Sequence, residues 1–274
     1  MSIDLSPEEK ILRKEACLYI EENAPELIQR YILDKKPVPL DLLTIFMAGS
    51  PGAGKTEFSK RFMPIELDKT NDALRKKLAQ NSIDIDEYET MLVRIDVDEI
   101  REFLPQYQKT NLTSGLKGNA HVIQKAATKG LDILREYCFE NHISFLHDGT
   151  FANFETMKKL VDKSLNANRA VQIFFIAVDP LVAWELTQAR EVLEGRNIVK
   201  TNFIKQYFLA LENVGRIKRE FGDKVTLSVI VKSKDRGIAD IQLNVADIDV
   251  YIKTQYNKGV LTIYSEEELM KLIP

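Results

Sequence analysis

The chain has 274 residues, 45% hydrophobic and 29% charged, proportions of an ordinary globular protein with room for one α/β domain and additions. Its 38 basic and 41 acidic residues leave a formal charge of −3, so no global field draws it to nucleic acid or to an anionic membrane, and neither is expected as a partner. Two cysteines and three histidines without metal-ligand spacing exclude a disulfide scaffold or a zinc module.

The N-terminus, "MSIDLSPEEK", is acidic and polar where a leader would be basic then apolar, and no run approaches the roughly 18 apolar residues of a membrane span. A cytoplasmic setting is the expectation. Ser6 and Glu9 are spaced as a capping box, with Pro7 in the first turn, and open a helix carried by Ile11, Leu12, Cys17, Leu18 and Ile20. Pro25 breaks or restarts it, and a second helical stretch ends near Asp34. "DKKPVPL" then reads as an extended linker, because two prolines withhold donors and bias their predecessors away from helix. Residues 1–40 are thus expected as a helical extension outside the core, a position from which they can act as a built-in inhibitor.

Leu42 to Ala48 ("LLTIFMA") is a short apolar run, the mark of a buried strand, and a helix is predicted from Lys55 to residue 62. From Pro64 to about residue 90 the chain is polar and mostly helical, an insertion. A second strand ends in "VRIDVDEIREFLPQY" and gives way to the loop "QKTNLTSGLKG". A long helix follows, its stripe made by Val122, Ile123, Ala126, Ala127, Leu131, Leu134 and Cys138. Cys17 and Cys138 both fall in apolar helical patterns and read as free buried thiols. "ISFLHDGT" is a third strand, 154–165 a helix, and "AVQIFFIAVDP" a fourth strand too continuously apolar to have a wet face. Helices at 181–193 and 201–221 follow, the latter closed by Gly222, and "VTLSVIVKS" is the fifth strand. From 235 onward, "IADIQLNV", "DVYIKTQY" and "VLTIYS" suggest small strands, and Ser265 with Glu268 caps a last helix.

The stretch "AGSPGAGKTEFS" sets the chemistry. Gly49, Ser50, Gly52, Ala53 and Gly54 form a turn whose glycines let main-chain N–H groups converge on an anion. The spacing Gly49-x-x-x-x-Gly54-Lys55-Thr56 is that of a P-loop, in which the lysine reaches the β and γ phosphates and the threonine hydroxyl coordinates Mg²⁺. ATP and Mg²⁺ are the expected cofactors. A plain Gly-rich turn between strand and helix would require neither the lysine nor the threonine. Strands alternating with helices around such a loop predict a P-loop kinase fold, a mostly parallel five-stranded sheet flanked by helices. The core is expected over 41–234 with the insertion at 64–90, and 235–274 as a small α+β addition.

Ligands of an open parallel sheet lie beyond the carboxyl ends of its strands. Asp96 and Asp98 follow the second strand and, two apart on an extended segment, project to one side; that Asp98 simply N-caps the helix "EIREF" is the alternative. A carboxylate here can accept the proton of a hydroxyl attacking the γ-phosphate, with Asp98 the candidate base and Asp96 orienting it or a substrate hydroxyl. Asp148 and Thr150, after the third strand, are candidate substrate contacts, Asp148 also reaching Mg²⁺ through water; a simple "DGT" turn is the alternative. Asp179 fits a helix start. Arg190, Arg196 and Lys200 in "AREVLEGRNIVK" are cations on the side opposite the loop, where phosphoryl transfer gathers negative charge.

Together, "GSPGAGKTEFS", "IDVDEIREFLPQY", "DGTFAN" and "AREVLEGRNIV" resemble the zeta toxin family, P-loop kinases of toxin–antitoxin systems, over about residues 42–232. The resemblance implies that Lys55 and Thr56 bind ATP and Mg²⁺, that Asp98 is the general base, and that Arg190 and Arg196 embrace the γ-phosphate. It also implies a nucleotide-sugar substrate, the 3′-hydroxyl of the amino sugar in UDP-N-acetylglucosamine, and a cognate antitoxin. The family's third-strand motif usually opens with glutamate where this chain has Asp148. A kinase of a simpler metabolite, of shikimate type, shares the Asp-x-Asp pattern, and a nucleotide-dependent switch shares the loop alone.

Overall fold

Strand β1 (Leu43–Ala48) is buried along its whole length and lies at the centre of the fold, paired in parallel with β3 (Phe145–Asp148) on one side and β4 (Ala170–Ala177) on the other. The structure, a computed structural model, describes residues 5–37, 42–61, 92–107, 119–194, 198–235 and 237–274. The expected insertion at 64–90 and the loop "QKTNLTSGLKG" lie outside those residues. So does Arg196.

The sheet runs in the order β2-β3-β1-β4-β5-β6, with β2 (Val93–Asp96), β5 (Val225–Lys232) and β6 (Ile238–Gln242) completing it. Five strands are parallel, as the alternation of strand and helix predicts. The sixth, from "IADIQLNV", adds antiparallel to β5 after a short turn. Of the other small strands expected near the C-terminus, "DVYIKTQY" is instead helix α9 (Ile248–Asn257). The Asp247 side chain accepts the N–H groups of Asp249 and Val250, and Ile248, Ile252 and Gln255 fall on one buried face. The helical period therefore wins over the β-branched composition. "VLTIYS" forms no strand and leads into α10 (Glu266–Leu272), whose Ser265–Glu268 capping box is present.

Alternation along β1 feeds two layers. Ile45 and Met47 pack with Phe58, Trp184 and Phe203, and Phe46 and Ala48 with Val161, Val214 and Ile252. The helices of these layers are α3 (Lys55–Arg61), α6 (Phe154–Asn166), α7 (Pro180–Glu194) and α8 (Lys200–Phe221), the last closed by Gly222 at φ +56°. At the sheet's amino end Arg169 is buried, donating from Nε to Thr44 Oγ1 at 2.8 Å and from Nη2 to the carbonyls of Leu43 at 3.0 Å and Ile143 at 2.5 Å. Its guanidinium lies over the rings of Phe139 and Phe145. One cation thus ties the starts of three neighbouring segments.

The N-terminal helices α1 (Pro7–Glu22) and α2 (Ala24–Tyr31) form as their capping box and Pro25 predict. They do not stand apart from the core. Ala16, Ile20 and Leu27 are fully buried in a third cluster with Val93 and Ile95 of β2 and with α4 (Val97–Phe103) and α5 (Ala120–Glu140). Phe103 lies between the rings of Tyr19 and Tyr31, 5.8 and 6.2 Å away. The Tyr31 hydroxyl donates to the Glu99 carbonyl at 2.8 Å. The α5 stripe is buried at every position read from the sequence, and Cys138 is a free thiol pushed up to about 12 by burial. Cys17 is free and half-buried. Among the described residues, no helix is long and apolar enough to cross a membrane.

Candidate active site

The loop after β1 turns on glycines in the left-handed region, and Gly52, at φ +74°, shows why a side chain is excluded. A Cβ there would stand 2.0 Å from the Ala183 carbonyl oxygen and 2.6 Å from Thr187 Oγ1, both on α7. The loop is therefore pressed onto the first turns of the helix that carries Arg190. It is pinned on its other side by the Gly49 N–H, which donates to the Thr150 carbonyl at 3.4 Å.

Lys55 folds back onto its own loop, donating from Nζ to the carbonyls of Gly49 at 3.1 Å and Ser50 at 2.8 Å. Burial pulls its pKa down to about 8, with Arg190 acting in the same direction and Asp148 and Asp96 opposing. An arriving phosphate would reverse that balance, since a nearby anion favours the charged amine. Ser50 Oγ is buried with no hydrogen-bond partner among the described residues.

The carboxyl ends of β2 and β3 are adjacent, Asp96 in register with Asp148. Between them and the loop lies Arg94. Its Nη2 is 2.6 Å from Asp96 Oδ2, 2.5 Å from Asp148 Oδ2 and 3.1 Å from Thr56 Oγ1, and its Nη1 donates to Glu99 Oε1 at 3.0 Å. Thr56 Oγ1 also donates to Asp148 Oδ2 at 3.4 Å. Burial works against the Arg94 charge, yet Asp148 and Asp96 outweigh it and raise its pKa. Asp96 is raised to about 6, chiefly by burial, then by the charges of Asp98 and Asp148, with Arg94 opposing. Arg94 is not among the site residues that the sequence pattern picks out; its signal is an arginine between Val93 and Ile95 in a strand that ends on Asp96.

Asp96, not Asp98, is the N-cap of α4: its Oδ1 accepts the Asp98 N–H at 2.9 Å. Asp98 stands in the helix's first turn rather than on an extended segment. Oδ1 accepts from buried Arg101 at 2.5 Å, and Oδ2 is 3.8 Å from Arg190 Nη2. Arg101 also donates to Gln124 Oε1 on α5. The structure thus brings Lys55, Thr56, Asp96, Asp98, Asp148 and Arg190 to one end of the sheet. Thr150 meets the loop through its carbonyl. Lys200 is elsewhere: its Nζ donates to the carbonyls of Met270 and Ile273. Asp179 starts α7, accepting the Leu181 N–H at 3.0 Å.

A second cation absent from the sequence reading is Lys232, buried at the end of β5, with Nζ 3.0 Å from Glu57 Oε2 and against the Gly54 backbone. Its signal was a lysine closing an apolar strand.

No group of three or more His, Cys, Asp and Glu side chains among the described residues is arranged to hold a metal. Mg²⁺ asks for less: one or two carboxylates with substrate phosphates completing the shell. The hydroxyl of Thr56 and the carboxylates of Asp96 and Asp148, converging on one cationic nitrogen, are hard oxygen donors of that kind and fit the ion chemically.

A parallel sheet of order 2-3-1-4-5, a glycine loop after its central strand and carboxylates at the neighbouring strand ends define a P-loop kinase fold. The chain belongs to the zeta toxin family, whose model matches residues 29–245. Among solved structures it is similar to a chain from the PezAT chromosomal toxin–antitoxin system of the human pathogen Streptococcus pneumoniae, at 18% identity over 98% of this chain and 94% of that one, TM-score 0.54. It is also similar to a chain of the AvrRxo1-ORF1:-ORF2 structure with ATP, at 10% identity over 92% of this chain and 78% of that one, TM-score 0.60. At such identities the likeness is one of fold. No curated protein matches by sequence.

Proposed function

We propose that the chain is an ATP-dependent kinase that transfers the γ-phosphate to a hydroxyl of a small molecule, a nucleotide sugar such as UDP-N-acetylglucosamine. The observation that carries this reading is Asp98, fixed by Arg101 at 2.5 Å and set 3.8 Å from Arg190, at the same end of the sheet as the loop lysine. A nucleotide switch needs no carboxylate of this kind, because it has no acceptor to deprotonate.

In the proposed reaction the loop amides and Lys55 hold the triphosphate, and Lys55 exchanges its two carbonyl partners for phosphate oxygens. Asp98 takes the proton of the acceptor hydroxyl as its oxygen bonds to the γ-phosphorus, and the bond from that phosphorus to the bridging oxygen breaks. Arg190 offsets the charge that spreads over the moving group. Arg196 takes the same part from the family resemblance alone. Thr56, Asp96 and Asp148 would hold Mg²⁺, which when bound neutralises phosphate charge. Contacts of Asp148, Asp96 and Thr150 with the acceptor are part of the proposal and rest on their positions after the second and third strands. Membership of the zeta toxin family supports the nucleotide-sugar acceptor and an antitoxin as partner; the PezAT toxin–antitoxin system is the structural parallel for the latter, and the AvrRxo1-ORF1:-ORF2 complex is a parallel for a bound partner protein.

The test is incubation with ATP, Mg²⁺ and a panel of UDP-sugars and simple alcohols, with mass detection of a phosphate adduct. Asp98→Ala is expected to lose about 10²-fold or more in transfer, the contribution of a positioned base, while ATP affinity changes little. Unchanged turnover in that variant would remove Asp98 from the mechanism. ATP hydrolysis without any adduct would point to the switch, and an adduct on a simple alcohol alone to a metabolite kinase.

A further inference from the structure

Arg94 belongs neither to the phosphate loop nor to the set of cations facing Asp98, yet four side-chain oxygens meet its guanidinium. Its side chain is only 14% exposed. One nitrogen, Nη2, has Thr56 Oγ1, Asp96 Oδ2 and Asp148 Oδ2 within 3.1 Å. These are the same three oxygens whose chemistry suits a divalent cation, and the hydroxyl among them is the one that the loop pattern assigns to Mg²⁺. Mg²⁺ binds oxygen at about 2.0–2.1 Å. It cannot enter that oxygen triangle while a guanidinium nitrogen stands inside it.

We propose that Arg94 is a built-in counter-cation: it holds the divalent-metal position while the enzyme lacks nucleotide, and metal enters only as the guanidinium withdraws. The charge arithmetic favours this arrangement. Asp96 and Asp148 sit side by side in a buried place, where two uncompensated carboxylates are costly and a single resident cation relieves both. The same cation repels an approaching divalent ion. A nucleotide changes the balance, because its phosphates bring further oxygens and further negative charge to the metal. The consequence is ordered loading, with free metal held weakly and metal–nucleotide taken together. Removing a cation that merely stood nearby would raise metal affinity by charge alone, and Arg94→Lys, which keeps the charge, would then match wild type.

The inference rests on the metal-side role given to Thr56 in the proposed function, and its test uses neither nucleotide nor acceptor, so its failure leaves the kinase reading standing. Mn²⁺ is titrated into the full-length protein without nucleotide, and the electron paramagnetic resonance signal of the free ion is followed. Wild type is expected to bind weakly, and Arg94→Gln about tenfold or more tightly, a gain that adding Asp148→Asn takes away. Arg94→Lys keeps a charge for folding but loses the second nitrogen that anchors the guanidinium on Glu99, so it should bind about threefold or more tightly than wild type. The proposal is overturned if the folded variants bind Mn²⁺ no better than wild type. Tight binding by nucleotide-free wild type would overturn it however the variants behave.

Discussion

Replacing Gly52 by alanine adds a single carbon at the place where the phosphate loop meets α7. Two costs can be worked from the structure. The backbone sits at φ +74°, where any Cβ costs about 1–2 kcal/mol. The new carbon would also lie 2.0 Å from the Ala183 carbonyl oxygen, 2.9 Å from its carbon and 2.6 Å from Thr187 Oγ1. Neither group yields freely, because that carbonyl already accepts the Thr187 hydroxyl at 2.8 Å. Overpacking of this kind costs about 1–3 kcal/mol, so the sum is about 2–5 kcal/mol, or a melting temperature lower by about 4–20 °C for a protein of this size. If the loop moves to escape the contact, ATP affinity falls as well, since its amides no longer converge. Differential scanning calorimetry and titration calorimetry with ATP measure the two effects. Thr187→Ala in the Gly52→Ala background should restore only part of the loss, because the backbone carbonyl remains. A variant that melts within about 1 °C of wild type and binds ATP equally well would refute the packing argument.

Further predictions follow from side chains away from the loop. Arg169→Leu removes a donor from three oxygens at the amino end of the sheet and is expected to lower the unfolding free energy in urea titrations by about 1–3 kcal/mol for each one left unsatisfied. Tyr31→Phe removes the hydroxyl held by the Glu99 carbonyl, at about 1 kcal/mol, and amide exchange should quicken first in Val97–Phe103. Cys138 has a native pKa of about 12 against an ordinary value of 9.0. Above pH 9 the unfolded chain has released that proton and the native chain retains it, so stability is intact below pH 9 and falls as pH rises toward 12. The contribution approaches 1.4 kcal/mol per pH unit at most. Between pH 9 and 10.5, Cys138→Ala should therefore lose stability less steeply than wild type, and in the native protein thiol reagents should label Cys17 ahead of Cys138.

The glycine loop and its strand were legible because their information is local: three glycines, a lysine and a threonine at fixed spacing answer to one anion. The five parallel strands were legible for a similar reason, as apolar runs of strand length punctuated by helical stripes. Residues 249–256 misled because Val250 and Ile252 suit a strand, whereas the Asp247 cap and the burial of Ile248, Ile252 and Gln255 depend on what α9 packs against. The depth of the N-terminal helices was hidden too. Their sequence shows an apolar stripe but not that it closes over β2. In the site, spacing brought Asp96 and Asp98 into view, but which of them caps α4 depends on where the helix begins. Arg94 could not be read from spacing at all, because its partners come from the phosphate loop, from its own strand and from the neighbouring strand.

The packing of α1 and α2 also bears on where this protein can be cut. The family-matched span opens at residue 29 and closes at 245. A fragment trimmed to it would start inside α2, discarding Ala16, Ile20 and Leu27 from beneath β2. It would also end just ahead of Ile248 and Ile252, which seal the opposite layer. Family limits and folding limits therefore differ here, and both flanks are masonry rather than trim.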